Sequence, residues 1–187
     1  MLQKIRKNAK KIIKLTLVIL LFILIIICIN KLVMRIFFPI KYSQYVKKYS
    51  QEYGIEENLI YAIIKAESNF DKDISSNKEA KGLMQIIYST GEEVAQSINL
   101  EITEEDLFNV EININIGTKY ISNLMQKYKN KELALAAYNA GTGNVDKWLE
   151  QGILNKDCSN IEKIPFKETN NYVRKVIRNY RIYNDIY

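Results

Sequence analysis

Residues 15–29 form an uncharged apolar run, and this run limits what the chain can fold into more than any other feature. The run reads LTLVILLFILIIICI, and the apolar pairs and triplets around it, Ile12–Ile13 and Leu32–Met34, lengthen it on both sides. A helix needs about 20 apolar residues to cross a lipid bilayer. The pattern therefore predicts a membrane-spanning helix over residues 15–34.

A cleaved signal peptide is the alternative for this segment, but the sequence disfavours it. The residues that follow the run, Asn30 to Val33, contain no small-residue cleavage site, and those before Cys28 lack the small residues that precede a lipidated cysteine. More Lys and Arg residues precede the run than follow it, so the positive-inside rule places the N-terminus in the cytoplasm. We expect a cytoplasmic segment 1–14, an anchor 15–34, a connector 35–42 and an exported domain 43–187.

The net charge of +6 is unevenly distributed along the chain. Residues 1–51 hold eleven of the 27 Lys and Arg residues and none of the 21 Asp and Glu residues. Residues 52–187 are therefore acidic, with sixteen basic and 21 acidic groups and a net charge of −5. An acidic globular part argues against nucleic acid as a partner. The basic N-terminal segment is accounted for by the flank of a membrane anchor.

The sequence contains no histidine, and this excludes several kinds of chemistry. Ser-His-Asp and Cys-His catalysis both require an imidazole. Clusters of soft metal ligands are also absent, so we expect no metal site and no cofactor. The two cysteines, Cys28 and Cys158, lie far apart in the sequence and are expected to be unpaired. Acid–base catalysis near neutral pH must then use a carboxyl, a lysine, a tyrosine or a thiol.

The apolar periodicity of residues 43–187 is helical almost throughout, and no alternating strand pattern of useful length is present. The predicted fold class is all-α, with residues 78–87 as an ambiguous stretch that suits a small irregular β element. The predicted helices cover residues 43–53, 56–68, 89–97, 104–106, 110–128, 131–140, 143–150 and 168–184.

Glu67 stands out because it occupies the apolar face of a predicted helix. It follows Ile60, Ile63 and Ile64 by seven, four and three residues, so its carboxyl projects from the same side as these side chains. It also lies in the last helical turn, where the helix dipole is negative. Burial and the dipole both raise the pKa of a carboxyl, which is the property required of the acid in glycosidic cleavage.

Three further segments carry recognisable short motifs. They are GLMQ at residues 82–85, AYNAG at 137–141 and ETNNYV at 168–173. Each alone has an ordinary structural interpretation: a turn, a helix C-cap with a left-handed glycine, and the acidic first turn of a helix.

In this order and at this spacing, the Glu67–Ser68 pair and the three motifs resemble the catalytic domain of soluble-lytic-transglycosylase-type enzymes (SLT-type, glycoside hydrolase family 23). The resemblance covers about residues 43–185 and implies a lysozyme-like fold related to goose-type lysozyme. It implies an enzyme that cleaves the N-acetylmuramic acid–N-acetylglucosamine bond of peptidoglycan, with a 1,6-anhydro product. Peptidoglycan glycan strands and the membrane are then the expected partners, and residues 151–167 have no counterpart that we can assign.

The same resemblance implies a role for each matching residue. Glu67 matches the catalytic acid/base, and Ser68 matches the edge of the cleft. The remaining positions match residues that line the glycan groove or border the catalytic carboxyl, with Met84 and Gln85 expected to contact sugar: Gly82, Leu83, Met84, Gln85, Tyr138, Asn139, Glu168 and Tyr172.

Two other functions remain open at this level. A hydrolytic muramidase would need a second carboxyl, and Asp71 or Asp73 could position the attacking water. Both lie in a polar loop, however, where a solvent-exposed acid without a catalytic role is the simpler interpretation. A catalytically silent glycan-binding module of an envelope complex would need no acid at position 67. The sequence does not indicate the biological setting, or any protein partner in the envelope.

Overall fold

The computed structural model describes the main chain of all 187 residues, and the side chains of all except residues 2–10, 12 and 13. The chain divides into two compact units. One comprises residues 1–39 together with Ile186, and the other comprises residues 40–185 together with Tyr187.

The first unit is a single long helix, α1, which spans Leu2–Phe37. Its stretch Lys14–Phe37 is 24 residues long, apolar, and without buried residues. This stretch is long and apolar enough to cross a membrane. A signal sequence near an N-terminus has the same length and composition, so these two properties do not distinguish an anchor from a signal sequence. The helix includes residues 35–37, which the sequence assigns to the connector, because the apolar and helix-forming character continues to Phe37.

The second unit is helical with one small antiparallel sheet, as the sequence predicts. Strands β1 (Ala80–Lys81) and β2 (Ile86–Ile87) pair Ala80 with Ile87, so the ambiguous stretch 78–87 is a short β-hairpin. Short 3-10 helices cover Glu105–Phe108 and Ile161–Lys163. The α-helices are α2 Ser43–Tyr53, α3 Glu57–Glu67, α4 Tyr88–Ser97, α5 Val110–Tyr128, α6 Lys131–Ala140, α7 Thr142–Glu150 and α8 Lys167–Ile186.

Helix α3 lies in the core of this unit. The side chains of Ile60, Ile63 and Ile64 are completely buried, which confirms the face predicted from their spacing. Burying an aliphatic side chain of this size contributes about 1.5–3 kcal/mol to folding. Because the helix is enclosed on nearly all sides, its C-terminal residue, Glu67, is held in a fixed place.

Helix α8 runs antiparallel to α3 and is joined to it by polar contacts along its length. Near its C-terminal end, the amide of Asn58 donates to the side-chain oxygen of Asn184 at 2.7 Å. In its middle, the amide of Asn179 donates to the carbonyl oxygen of Ala62 at 3.4 Å. This arrangement brings the first turns of α8 beside the end of α3 that carries Glu67.

Candidate active site

Glu67 is the last residue of α3, and the chain turns away immediately after it. Asn69 and Phe70 both adopt the left-handed conformation, with φ of 52° and 67°. Two successive non-glycine residues in this region are costly, at about 1 kcal/mol or more each. The buried ring of Phe70, which packs near Tyr61, anchors the turn in the core. The helix therefore ends at Glu67 without a gradual unwinding.

Ser68 belongs to this turn and not to the wall of a cleft. Its side chain is buried, its hydroxyl donates to the carbonyl oxygen of Ile64 at 3.2 Å, and it accepts from the backbone N–H of Phe70 at 3.1 Å. The expectation that Ser68 borders the substrate does not match this position. Its hydroxyl completes the end of α3, because the helix leaves these backbone groups without partners.

Glu67 opens into a cavity of about 340 Å³ that lies between α3, the β-hairpin, α6 and α8. Five of the residues expected at the site share its wall. The complete lining consists of Glu67, Ser76, Asn77, Lys78, Ala80, Gln85, Ile87, Tyr138, Asn139 and Glu168. Sequence reasoning missed Ser76, Asn77, Lys78, Ala80 and Ile87, and the polar stretch that follows Glu67 in sequence is the only signal that could have suggested them.

A second cavity of about 310 Å³ adjoins the first and shares the wall formed by Gln85, Tyr138 and Asn139. It extends to Thr90 and Tyr120. The rings of Tyr120 and Tyr138 pack together at a tilt, with their centroids 5.1 Å apart. The two cavities share lining residues and together form an extended groove with tyrosine rings in its wall.

The GLMQ motif is an architectural element whose first residue must be glycine. Gly82 has φ of +72°, and a Cβ there would lie 2.3 Å from the carbonyl oxygen of Leu107 and 2.5 Å from the side-chain nitrogen of Asn113. No larger residue fits without displacing these groups. Gln85 follows with φ of 50°, and its amide donates to the carbonyl oxygen of Gly82 at 2.9 Å, so the motif folds back on itself.

Leu83 and Met84 point into the core and are fully buried. Met84 packs against Gly117 of α5, where a Cβ would approach its sulfur to 2.4 Å. The side chain of Met84 is therefore turned into the core and does not reach the cavity, so it cannot itself make the contact with sugar that the resemblance implies for this residue. Of the motif, only Gln85 reaches the cavity wall.

Asn113 holds the motif in place, and sequence reasoning missed it. Its side chain is buried, accepts from the backbone N–H of Met84 at 2.7 Å, and donates to the carbonyl oxygens of Leu107 and Lys81 at 2.7 and 3.0 Å. A buried amide with all these bonds made is a strong local constraint. Its position within an asparagine–isoleucine alternation gives no hint of this role.

The AYNAG and ETNNYV motifs contact one another across the site. The side-chain oxygen of Asn139 accepts a hydrogen bond from the hydroxyl of Thr169 at 2.8 Å. Gly141, which ends α6 and begins α7, has φ of 86° and ψ of 150°. This is a region that essentially only glycine adopts, and not the left-handed helical cap that the sequence suggested.

The salt bridge between Lys78 and Glu168 joins the hairpin side of the cavity to helix α8. The ammonium of Lys78 lies 3.3 Å from Oε2 of Glu168, and both side chains are about 70% exposed. An exposed pair of this kind contributes little to stability, about 0–1 kcal/mol. Glu168 thus faces the cavity from the first turn of α8.

The carboxyl of Glu67 is unusual in its acidity. Burial raises its pKa from 4.5 to about 7, and the neighbouring Glu168 adds to this effect, whereas Tyr172 and Lys175 act against it. The hydroxyl of Tyr172 is buried and makes no hydrogen bond of ordinary geometry among the described residues, yet it faces Glu67 closely enough to favour its charged form. In unliganded enzymes such catalytic hydrogen bonds are often long.

Asp71 and Asp73 do not reach this cavity. Both are exposed; Asp71 accepts from the backbone N–H of Asp73 at 3.1 Å, and Asp73 pairs with Lys72 at 2.6 Å. The interpretation of both as solvated loop acids is confirmed. Glu168 is the second carboxyl on the wall of the cavity, and it is already paired with Lys78.

Comparison with known proteins identifies the domain. Residues 44–157 match the family model described as "Transglycosylase SLT domain". The chain belongs to the transglycosylase SLT domain family. The matched segment contains Glu67 and the first two motifs, and α8 with the third motif lies beyond it.

Relatives and structures of the SLT family agree with this assignment. The chain is 34% identical over 144 residues to the soluble lytic murein transglycosylase of Escherichia coli K12, covering 75% of this chain and 22% of that protein. It is 34% identical over 167 residues to the membrane-bound lytic murein transglycosylase C of Pectobacterium atrosepticum, covering 75% of this chain and 47% of that protein.

The X-ray structure of an inactive mutant of the lytic transglycosylase Slt from Pseudomonas aeruginosa superposes with a TM-score of 0.74 at 32% identity. The match covers 81% of this chain and 25% of that one. The chain therefore shares the SLT fold and spans about a quarter of the length of that protein.

Proposed function

We propose that this protein is a peptidoglycan lytic transglycosylase of glycoside hydrolase family 23, in which Glu67 is the single acid and base. One observation carries the proposal: a carboxyl with a pKa of about 7 opens into a cavity at a buried helix end. At neutral pH about half of such groups are protonated, so the same side chain can both donate and accept a proton. The relatives named as murein transglycosylases support the choice of substrate.

The chemistry requires only one carboxyl. Protonated Glu67 gives its proton to the oxygen that links N-acetylmuramic acid to N-acetylglucosamine, and the bond from that oxygen to C1 breaks with its electron pair on the oxygen. The N-acetyl group of the muramic acid stabilises the positive charge at C1. Glu67, now a carboxylate, takes the proton of the C6 hydroxyl as O6 bonds to C1. The acid is restored and no water is consumed.

Other residues of the groove serve this cycle by orienting Glu67 and the glycan. Tyr172 favours the ionised form of the carboxyl, and Tyr138 lies close enough for the charge of Glu67 to raise the pKa of its phenol. Gln85 and Asn139 contribute polar side chains to the cavity wall along which the sugar would lie. Gly82, Leu83 and Met84 shape the wall from behind, and Glu168 forms part of its rim.

We further propose that residues 15–34 anchor the protein in the cell membrane with the N-terminus in the cytoplasm. The domain over residues 43–187 is then extracytoplasmic, where peptidoglycan lies. The exposed apolar side chains of α1 and the basic residues before them support this arrangement. Alkaline-phosphatase and green-fluorescent-protein fusions at the C-terminus distinguish the two orientations, and inverted topology would refute this part of the proposal.

Mass spectrometry of purified peptidoglycan digested by the full-length protein in detergent tests the activity. We expect muropeptides with 1,6-anhydro ends, and Glu67→Gln should lose at least about 100-fold in rate, the usual contribution of a general acid. Reducing ends would instead show a hydrolytic muramidase. Equal activity of wild type and Glu67→Gln would refute the assignment of Glu67.

A further inference from the structure

Lys175 makes a direct contact with the helix end that carries Glu67. Its ammonium donates a hydrogen bond to the carbonyl oxygen of Ala66 at 2.6 Å. Ala66 immediately precedes Glu67, and its carbonyl lacks a helical partner because the backbone N–H of Phe70 bonds to Ser68 instead. A cation at the C-terminus of a helix also interacts favourably with the helix dipole.

Lys175 and Tyr172 act on this helix end from the same side of α8. They are three residues apart, so they occupy one face of the helix. Tyr172 faces the carboxyl of Glu67, and Lys175 holds the backbone next to it. Helix α8 therefore contacts the catalytic residue at two points, one on its side chain and one on its main chain.

The charged and titratable groups around Glu67 come from two neighbouring helices. Helix α8 supplies Tyr172 and Lys175, which favour the carboxylate, and Glu168, which disfavours it. Helix α6 supplies Tyr138, and the charge of Glu67 raises the pKa of its phenol. On α3 itself, Lys65 faces Lys175: its pKa is lowered mainly by burial and further by the nearby charges of Lys175 and Lys41.

We infer that Lys175 is a positioning residue for the proposed reaction, which fixes the main chain beneath Glu67 and places a positive charge beside its carboxylate. The inference rests on the proposed function of Glu67. It adds a residue outside the cavity lining that fixes the position of the acid and favours its ionised form. A purely structural lysine would affect folding stability alone.

Three substitutions in the full-length protein separate the charge of Lys175 from its hydrogen bond. Arg keeps both, Gln keeps a donor without the charge, and Met keeps neither. Arg178→Met is the matched control, because it removes one positive charge from the same helix about one turn farther along, at a residue that is exposed like Lys175 but is not among the groups that act on Glu67. Each variant is assayed for kcat/KM between pH 5 and 9.

The proposed reaction requires protonated Glu67. The fall of kcat/KM at alkaline pH, called here the alkaline limb, therefore follows the pKa of Glu67. We expect Lys175→Met and Lys175→Gln to move this limb to higher pH, since removing a positive charge disfavours the carboxylate. The maximum value of kcat/KM should fall by up to about 100-fold in Lys175→Met, because the carboxyl of Glu67 loses its fixed position. Lys175→Arg should keep the limb in place, with Arg178→Met close to wild type.

A carboxyl NMR titration of Glu67 in the same variants gives a readout that does not depend on activity. A raised midpoint in Lys175→Met and Lys175→Gln supports the inference even if the protein cleaves no peptidoglycan, so the two proposals fail separately. If Lys175→Met does not fold, the Gln and Arg pair carries the test. Titration midpoints and alkaline limbs that shift no more than in Arg178→Met would overturn the inference.

Discussion

The hydroxyl of Tyr138 donates a hydrogen bond to the main-chain oxygen of Met84 at 2.8 Å, and so joins helix α6 to the GLMQ turn beside Glu67. This single contact ties two of the short sequence motifs into one wall. Tyr138 is also within electrostatic reach of Glu67, since burial and the charge of that carboxylate both raise the pKa of the phenol.

Replacing Tyr138 by Phe tests this contact. We expect a loss of about 1 kcal/mol in the free energy of unfolding, the usual net value of a hydrogen bond, together with a marked fall in kcat. Tyr128→Phe is the control, because it also removes a hydroxyl that bonds to a main-chain oxygen, that of Thr142, and to the carboxylate of Asp146, but lies outside the cavity that Glu67 lines. Denaturant titration and the muropeptide assay measure the two effects. Equal losses of kcat in both variants would contradict a special role for Tyr138.

The raised pKa of Glu67 predicts that this residue destabilises the protein at neutral and alkaline pH. Between the ordinary pKa of 4.5 and the folded value of about 7, the unfolded chain releases a proton that the folded one retains. Stability therefore falls as the pH rises through this window, by about 3 kcal/mol in total, and the loss is complete above it.

Glu67→Gln should remove this penalty. We expect the variant and the wild type to have similar unfolding free energies at about pH 4, and the variant to be more stable at about pH 8. Denaturant unfolding at a series of pH values measures the difference, with Glu57→Gln on the same helix as the control. A difference that stays constant with pH would show that the carboxyl is not titrating in the expected range.

Gly82 and Gly54 form a natural pair for testing steric crowding in the GLMQ turn. Their φ angles are similar, +72° and +68°, but of the two only Gly82 has other atoms within 4 Å of the place where a Cβ would stand. Gly54→Ala should cost about 1 kcal/mol for the left-handed conformation. Gly82→Ala should cost about 2–3 kcal/mol more from the clash with Leu107 and Asn113, as thermal and denaturant unfolding would show. Equal costs would mean that the turn relaxes freely.

Lys78 offers a test of the rim of the cavity. Because its bridge to Glu168 is exposed, Lys78→Met should change the unfolding free energy by less than about 1 kcal/mol. For the proposed substrate, peptidoglycan, we expect a higher KM with little change in kcat, since a positive charge leaves the cavity wall and the stem peptides of peptidoglycan carry carboxylates. Lys72→Met, which breaks the exposed pair with Asp73, is the control. An unchanged KM would exclude Lys78 from substrate binding.

Much of the fold is predictable because its signals are local. The helices of residues 43–187 follow the apolar period closely, and the face of α3 that carries Glu67 can be derived from Ile60, Ile63 and Ile64 alone. The position of Glu67 in the last turn follows from the same spacing.

The rest of the site depends on long-range contacts that no short window reveals. Ser76 and Lys78 lie on the cavity wall because the hairpin folds over Glu67, and Asn113 reaches the GLMQ turn from a different helix. Motif membership also cannot distinguish a residue that contacts substrate from one that supports it. Ser68 and Met84 belong to motifs, yet both are turned inward by burial.

The walls around Glu67 come from segments that are distant in the chain: the hairpin near residue 80, helix α6 near residue 138, and the first turns of α8 near residue 170. During synthesis, a chain that has not yet docked α8 would hold position 67 as an ordinary solvated acid of low pKa. For the proposed reaction, the raised pKa of Glu67 would then arise only once the hairpin, α6 and α8 have all packed around this residue.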